Sequence, residues 1–287
     1  MNKDTYWLAS YPKSGNTWFR LLLSQLLGAE QSLNINDLPI KNTIASARSI
    51  FDAGLGISSS DLLANEIDTL RPFSDELFNA ALSEPMFRKI HDAYLSPYTD
   101  QPIVSTKVSA GIIYIVRNPL DVLVSYHYHL NKSIESTLIT LNGAGNKEKK
   151  ARDGIKAQFE QYMGGWSHHV LSWTQQKKIP ICVVRYEDLL ADPQQHFATA
   201  LEFAQIKTDT HSLKQAIDNT SFSKLKQQEA SSRFAETPRD NDQFFRKGKA
   251  GGWRNYLTPC QVEQIIEVHG TVMHSLGYLD KDNKPIF

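Results

Sequence analysis

Residues 6–10, "YWLAS", run into "YPKSGNTW" at 11–18 and then directly into the apolar-periodic "FRLLLSQLLG" at 19–28. A short strand, a glycine-containing turn and an immediate amphipathic helix leave a chain few ways to fold. The helix must pack back on the sheet that holds the strand, and the chain then re-enters that sheet in parallel. The pattern recurs. Apolar runs "MFRKI" (86–90), "IIYIV" (112–116) and "PICVVRY" (180–186) are separated by helical patterns. Asn118, Pro119 and Asp121 mark one helix start, and Asp192 with Pro193 marks another. Thr258 and Gln261 stand in capping-box spacing before a last helix that stops at Gly277, and Gly28 is expected to end the first helix as a left-handed cap. The expected architecture is α/β, one domain over residues 1–287 with a central, mostly parallel sheet flanked by helices. Residues 41–75 look polar and irregular, and "GAGNKEKKARDG" at 143–154 reads as a mobile loop.

In such a strand–loop–helix, the loop N–H groups and the first N–H groups of the helix point at one spot, and the helix dipole favours an anion there. Gly15 permits close approach, Lys13 brings positive charge, and Ser14, Asn16 and Thr17 add donors. The Walker pattern places its lysine after the last glycine; here Lys13 precedes Gly15. The segment is a phosphate cradle of another kind, or an ordinary polar turn. Arg117 closes the strand "IIYIV" at the edge where ligands of open α/β sheets gather, and Ser125 lies two helical turns further on. "FFRKGKAGGW" gathers Arg246, Lys247, Gly248 and Lys249 into a loop that either wraps an anion or is a solvated charge run.

With 31 basic and 31 acidic residues the chain has no broad electrostatic footprint for nucleic acid or an anionic membrane. No window holds the roughly 18 apolar residues of a membrane helix, and the first residues lack a signal peptide's apolar stretch. A cytoplasmic protein is expected. Cys182 and Cys260 read as packing residues rather than a disulfide or metal site. His127 and His129, two apart on a helix, and the adjacent His168 and His169 are poor chelating pairs, so no metal is expected.

Together the three basic segments resemble those of the cytosolic sulfotransferases, as a bacterial-type member. Tyr11 to Trp18 is similar to that family's Y-P-K-[ST]-G-T-T-W, differing mainly at Asn16. Val116 to Pro119 with Asp121, Val122, Ser125 and Tyr126 resembles its 3′-phosphate segment, and Arg246 to Arg254 resembles R-K-G-x-x-G-D-W-[KR]. The resemblance implies 3′-phosphoadenosine 5′-phosphosulfate (PAPS) as donor, 3′-phosphoadenosine 5′-phosphate (PAP) as product, and a small-molecule acceptor. It implies that Lys13, Ser14, Gly15, Asn16, Thr17 and Trp18 hold the 5′-phosphosulfate and that Arg117, Ser125, Arg246, Lys247 and Gly248 hold the 3′-phosphate. By the same resemblance Tyr186, Thr220 and Phe222 fall at adenine positions, although a core role for Phe222 fits the sequence nearly as well. "RKIHDAY" aligns with the family's K-T-H strand, which makes His91 the general base, with Lys89 and Lys13 as charge-stabilising partners.

Departures accompany the match. Gly252 stands where the family has Asp, Pro259 interrupts the family's dimer segment so that dimer mode is not expected, and no tryptophan in 29–75 is placed to stack on adenine. The alternatives are an ATP-dependent kinase-like phosphotransferase, against which the Walker order speaks, and a non-catalytic nucleotide-binding module, which has no need of His91. Tyr94, Phe159, Tyr162 and Phe234 are candidates for either the acceptor pocket or the core. The loop at 229–250 and that at 143–154 are expected to order around ligands. The acceptor itself and the oligomeric state are not written in the sequence.

Overall fold

Strands β1 (Thr5–Ala9), β2 (Met86–Ile90), β3 (Ser109–Val116) and β4 (Ile181–Arg185) form one parallel sheet in the order β2-β1-β3-β4. The computed structural model describes residues 4–28, 34–36, 44–143 and 157–287. Around the sheet lie α1 (Asn16–Leu27), α2 (Arg48–Leu55), α3 (Ala64–Ala80), α4 (Pro119–Leu130), α5 (Ile134–Leu141), α6 (Trp166–Thr174), α7 (Tyr186–Ala191), α8 (Pro193–Phe203), α9 (Thr210–Asn219), α10 (Phe222–Ser231) and α11 (Pro259–Ser275). Alternate strand residues enter two cores, as a doubly covered sheet requires. Trp7, Ala9, Ile112, Tyr114 and Val116 pack under α4, α6 and α11. Tyr6, Leu8, Phe87, Ile113 and Ile115 pack under α1, α8 and α9.

The capping signals hold where they are local. Asn118 accepts from Leu120 N, Asp192 from Gln195 N, and Thr258 with Gln261 completes its capping box. Gly28 differs from expectation: its φ of −80° is extended, not left-handed. The larger correction concerns residues 41–75, since α2 and most of α3 occupy the part described. Helix α3 hides from periodicity because it buries Arg71, Ser74, Asp75, Glu76 and Asn79 and carries Pro72 inside it. Those charges are neutralised across the fold: Arg71 binds both oxygens of Asp92 at 2.9 and 3.1 Å, and Arg88 of β2 meets Asp75 at 2.5 Å. The predicted mobile loop, from residue 144 on, lies outside the described residues. Both cysteines are free, but Cys260 is exposed on the first turn of α11 and packs in no core. Among the described residues no helix is long and apolar enough to cross a membrane.

Candidate active site

All four strands deliver a polar or charged residue at their C-terminal ends, where a parallel sheet opens a crevice. The turn after β1 brings Lys13, β2 carries Lys89 one residue before its end at Ile90 with His91 just beyond it, β3 is followed by Arg117, and β4 by Tyr186; all five residues line one cavity of about 1640 Å³. Of the residues predicted from sequence to bind the donor or act in catalysis, only Ser14 does not reach its wall, being fully buried.

The turn is shaped by two positive φ angles, 68° at Lys13 and 104° at Gly15, which caps α1. No side chain fits at Gly15, because a Cβ would lie 2.6 Å from the Tyr186 ring. The Asn16 side chain serves the turn itself, donating from its amide to Leu8 O at 2.8 Å and to Ser10 Oγ at 3.2 Å and so locking the turn to β1. Ser14 Oγ, Trp18 Nε1 and Arg117 Nε are buried without a hydrogen-bond partner. Unpaired buried donors are costly; Ser14 and Trp18 stand at the start of α1 and Arg117 just after β3, and anions with several acceptor oxygens fit both places.

Arg117 clasps the cradle. Its Nη1 donates to Lys13 O at 3.2 Å, its Nη2 to Lys249 O at 3.1 Å, and its guanidinium lies 4.5 Å over the Tyr186 ring. The C-terminal basic loop is therefore bound to the first turn, with Ser125 on the same cavity wall. Arg246 lies 3.4 Å over the Tyr128 ring, Lys247 4.5 Å over that of Tyr256, and Gly248, at φ 58°, faces Phe222 so closely that a Cβ would come within 2.2 Å. Thr220 reaches the cavity, but its hydroxyl proton is donated to Ala216 O. Phe222 is half-buried against that loop. Two carboxylates pin it: Glu229 accepts from Phe244 N at 2.6 Å and Phe245 N at 2.9 Å, and Asp121 from Gly251 N at 2.7 Å and Trp253 N at 3.0 Å. Gly252 stands between the last two.

At the other end of the cavity His91 Nδ1 lies 2.7 Å from Ser10 O, so that nitrogen carries the proton and Nε2 keeps its lone pair. Burial, followed by the Lys89 charge, pushes its pKa well below the usual imidazole value, and the ring is neutral at neutral pH. His169, read from sequence as a bystander, supports it from behind: its Nε2 is 3.0 Å from His91 O and its Nδ1 2.8 Å from Tyr114 Oη. Lys13 Nζ lies 3.9 Å over the Phe244 ring and 3.5 Å from His129 Nδ1. Burial, then Lys89 and Arg117, lower the Lys13 pKa to about 7, and burial with Lys13 lowers that of His129 to about 4.

His129 and Glu236 are residues that sequence reasoning missed. The helical spacing did separate the two histidines: His127 turns to Lys132 O while His129 enters the cavity. The signal for Glu236 was indirect. Arg20, in the leucine-rich helix α1, is almost fully buried and needs a carboxylate, which Glu236 supplies at 2.6 Å while it meets Lys89 at 3.2 Å. Of the four candidate acceptor aromatics none lines this cavity, and Tyr94, Phe159 and Phe234 are core residues. Among the described residues no group of three or more His, Cys, Asp or Glu is placed to hold a metal.

The family model for the sulfotransferase domain matches residues 3–277. Sulfotransferase 1C2 of Homo sapiens is 26% identical over 93% of this chain and 82% of its own length. Cytosolic sulfotransferase 17 of Arabidopsis thaliana is 26% identical over 96% of this chain and 76% of its own. The crystal structure of mouse sulfotransferase SULT7A1 complexed with PAP is similar with a TM-score of 0.59 at 23% identity, covering 96% of this chain and 86% of that one. Retinol dehydratase in complex with androsterone and inactive cofactor PAP gives 0.65 at 19% identity, covering 100% and 83%. At these identities the structural matches establish the fold.

Proposed function

This chain belongs to the sulfotransferase domain family, and from that premise we propose how its residues divide the work of transfer from PAPS. The protein is a PAPS-dependent sulfotransferase. Its donor supplies an electrophilic sulfuryl group on a phosphosulfate anhydride. Lys13, Ser14, Gly15, Asn16, Thr17 and Trp18 hold the 5′-phosphosulfate, Asn16 through its backbone and through the turn it fixes. Arg117, Ser125, Arg246, Lys247 and Gly248 hold the 3′-phosphate, with Tyr186, Thr220 and Phe222 around the adenine. The unpaired Ser14, Trp18 and Arg117 donors support this division. PAP leaves the same cradle.

One observation carries the assignment of the base: the His91 proton is committed to Ser10 O, which leaves Nε2 to accept a proton from the acceptor. Lys89, one residue before the end of β2, stands with His91 on the α1 side of the sheet, as its register partner Leu8 does. There it stabilises charge on the sulfuryl oxygens, while Lys13 stabilises charge on the leaving oxygen. The lysines and arginines provide the positive charge that transfer requires, so the mechanism needs no metal. The acceptor is a small molecule; the balance of 31 basic and 31 acidic residues supports neither a nucleic acid nor a membrane surface as partner, and a cytoplasmic setting fits both. Residues 1–287 act as one sulfotransferase domain, supported by the sheet that joins both ends of the site.

Transfer of radiolabelled sulfuryl to a panel of phenols, alcohols and amines tests the reading. His91→Ala should lose roughly 10²–10⁴-fold in turnover while PAP binding, measured by calorimetry, persists. With a phenol acceptor, part of the rate should return at high pH. Full activity in His91→Ala would move the base elsewhere, and failure of the wild type to bind PAP would overturn the donor assignment.

A further inference from the structure

Lys89 has a fixed counter-ion that the division of labour above does not use. Its ammonium, with the side chain only 16% exposed, lies 3.2 Å from Glu236 Oε2; the other oxygen, Oε1, takes Nη1 of Arg20 at 2.6 Å, with Arg20 1% exposed. Each carboxylate oxygen thus holds a different cation from a different element: β2 on one side, α1 on the other. The carboxylate cannot easily leave. Arg20 Nε has no other partner, so withdrawing Glu236 would strand a buried guanidinium. Glu236 also lines the cavity wall, next to the ammonium it binds.

We propose that Glu236 is a positioning residue of the reaction, holding the Lys89 ammonium charged and aimed at the cavity by anchoring it through one carboxylate to Arg20 of α1. The charged and titratable groups around Lys89 explain the need. Arg20 faces it from α1, Lys13 from the β1–α1 turn, His91 from the end of β2 and His129 from α4; Glu236 is the carboxylate among them. Burial lowers the Lys89 pKa and Arg20 lowers it further, whereas Glu236 opposes both. Burial by itself would raise the Glu236 pKa, but Lys89 and Arg20 bring it down to about 2, so the carboxylate is ionised wherever the enzyme works. Before donor binds, no other anion faces the amine among these groups. Lys89 therefore meets the incoming sulfuryl group already protonated, and the tether to α1 sets its position relative to the phosphate turn that opens the same helix. The inference rests on the reading of Lys89 as the sulfuryl-facing lysine.

The test uses the donor-free protein first, where that reading is not needed. Acetylation of Lys89 by acetic anhydride, followed against pH by mass spectrometry, gives the pH of half-reactivity of its amine. Glu236→Gln should lower that midpoint by at least about one unit, a tenfold change in the protonation equilibrium, and Glu236→Asp should restore most of it. In saturating donor, turnover of Glu236→Gln should fall at least about tenfold at pH 8.5 and less than about threefold at pH 6.5. In a Lys89→Arg background, whose guanidinium keeps its proton, Glu236→Gln should no longer change the pH profile. Should Glu236→Gln fold poorly, the double variant Arg20→Met, Glu236→Gln removes the stranded cation and carries the same test. An unmoved Lys89 midpoint would overturn the proposal and leave Glu236 as the counter-ion of Arg20 alone. A moved midpoint without PAP binding would spare the inference about Lys89 and sink the donor assignment.

Discussion

In the turn at 11–18 the backbone that carries Lys13 is continuous with β1 and α1, whereas in the loop at 244–253 the backbone that carries Arg246 and Lys247 is held from outside. The turn gets its shape mainly from near neighbours in the chain, since Gly15 caps α1 and Asn16 bonds back to Leu8; Tyr186, at the start of α7, then fills the space against Gly15. The loop gets its shape from Glu229 and Asp121, which bind its N–H groups, and from Tyr128 and Tyr256, which lie under its cations. Both present positive charge to one cavity. The first is a rigid part of the sheet's edge, and the second is a strap fastened at a few points. Arg117, bonded to Lys13 O and Lys249 O, joins them.

The largest effect that separates the two comes from placing a methyl group on each. Gly15→Ala meets a left-handed φ of 104° and the buried Tyr186 ring, which is held under Arg117 and cannot turn away. Strain and overpacking together should cost PAP affinity about 2–4 kcal/mol. Gly248→Ala, at φ 58°, meets Phe222, which is only half-buried where Tyr186 is buried, and should cost only about 1–2 kcal/mol. Equal losses by calorimetry would erase the distinction between frame and strap.

This contrast also explains what was legible in the sequence. The turn, the caps of α4, α8 and α11, and the four strands depend on residues a few positions apart, so their patterns survive in a string of letters. The fastenings of the strap do not: Glu229 acts 15 and 16 residues away, Asp121 acts 130 and 132 residues away, and Glu236 reaches Arg20 across 216. Nothing local marks such carboxylates. His91 and Lys89 were found through family resemblance; the strap's own cations stood out as a basic, glycine-rich run, and the resemblance decided between an anion site and a solvated charge run. Helix α3 was lost because its inward face is charged, with Arg71 and Asp75 paired to partners on other elements.

Removing a fastening should come next in size. Asp121→Ala leaves the Gly251 and Trp253 N–H groups without their charge-assisted acceptor and should destabilise the protein by about 1–3 kcal/mol in urea unfolding. PAP affinity should fall with it, and loss of affinity at unchanged stability would mean that Asp121 acts on the ligand instead. The rigid turn is sharpened by pH. With the Lys13 pKa near 7 in the free protein, the amine is charged below that pH and loses its charge above it. Donor anions favour the charged form, so binding should take up close to one proton at pH 8.5 and close to none at pH 6, and affinity should fall up to about tenfold per unit above pH 7. Calorimetry in buffers of different ionisation heat reads the proton directly. Lys13→Arg should abolish the uptake.

The smallest effect is expected where the sequence departs from its family, at Gly252. A Cβ there meets only Asp121 Oδ1, at an unstrained 3.7 Å. The shape of the loop at this point comes from Asp121, whose two oxygens already bind the N–H groups on either side of Gly252. A carboxylate restored at 252 therefore has no N–H left to fasten. It brings a like charge toward Asp121, offset by Arg254 nearby in a solvent-reached segment where exposed pairs are weak. Gly252→Asp should change PAP affinity by less than about threefold and stability by no more than about 0.5 kcal/mol. A tenfold gain in affinity would mean that the residue at 252, and not Asp121, sets the strap, and the loop would then be framed from within like the turn it faces.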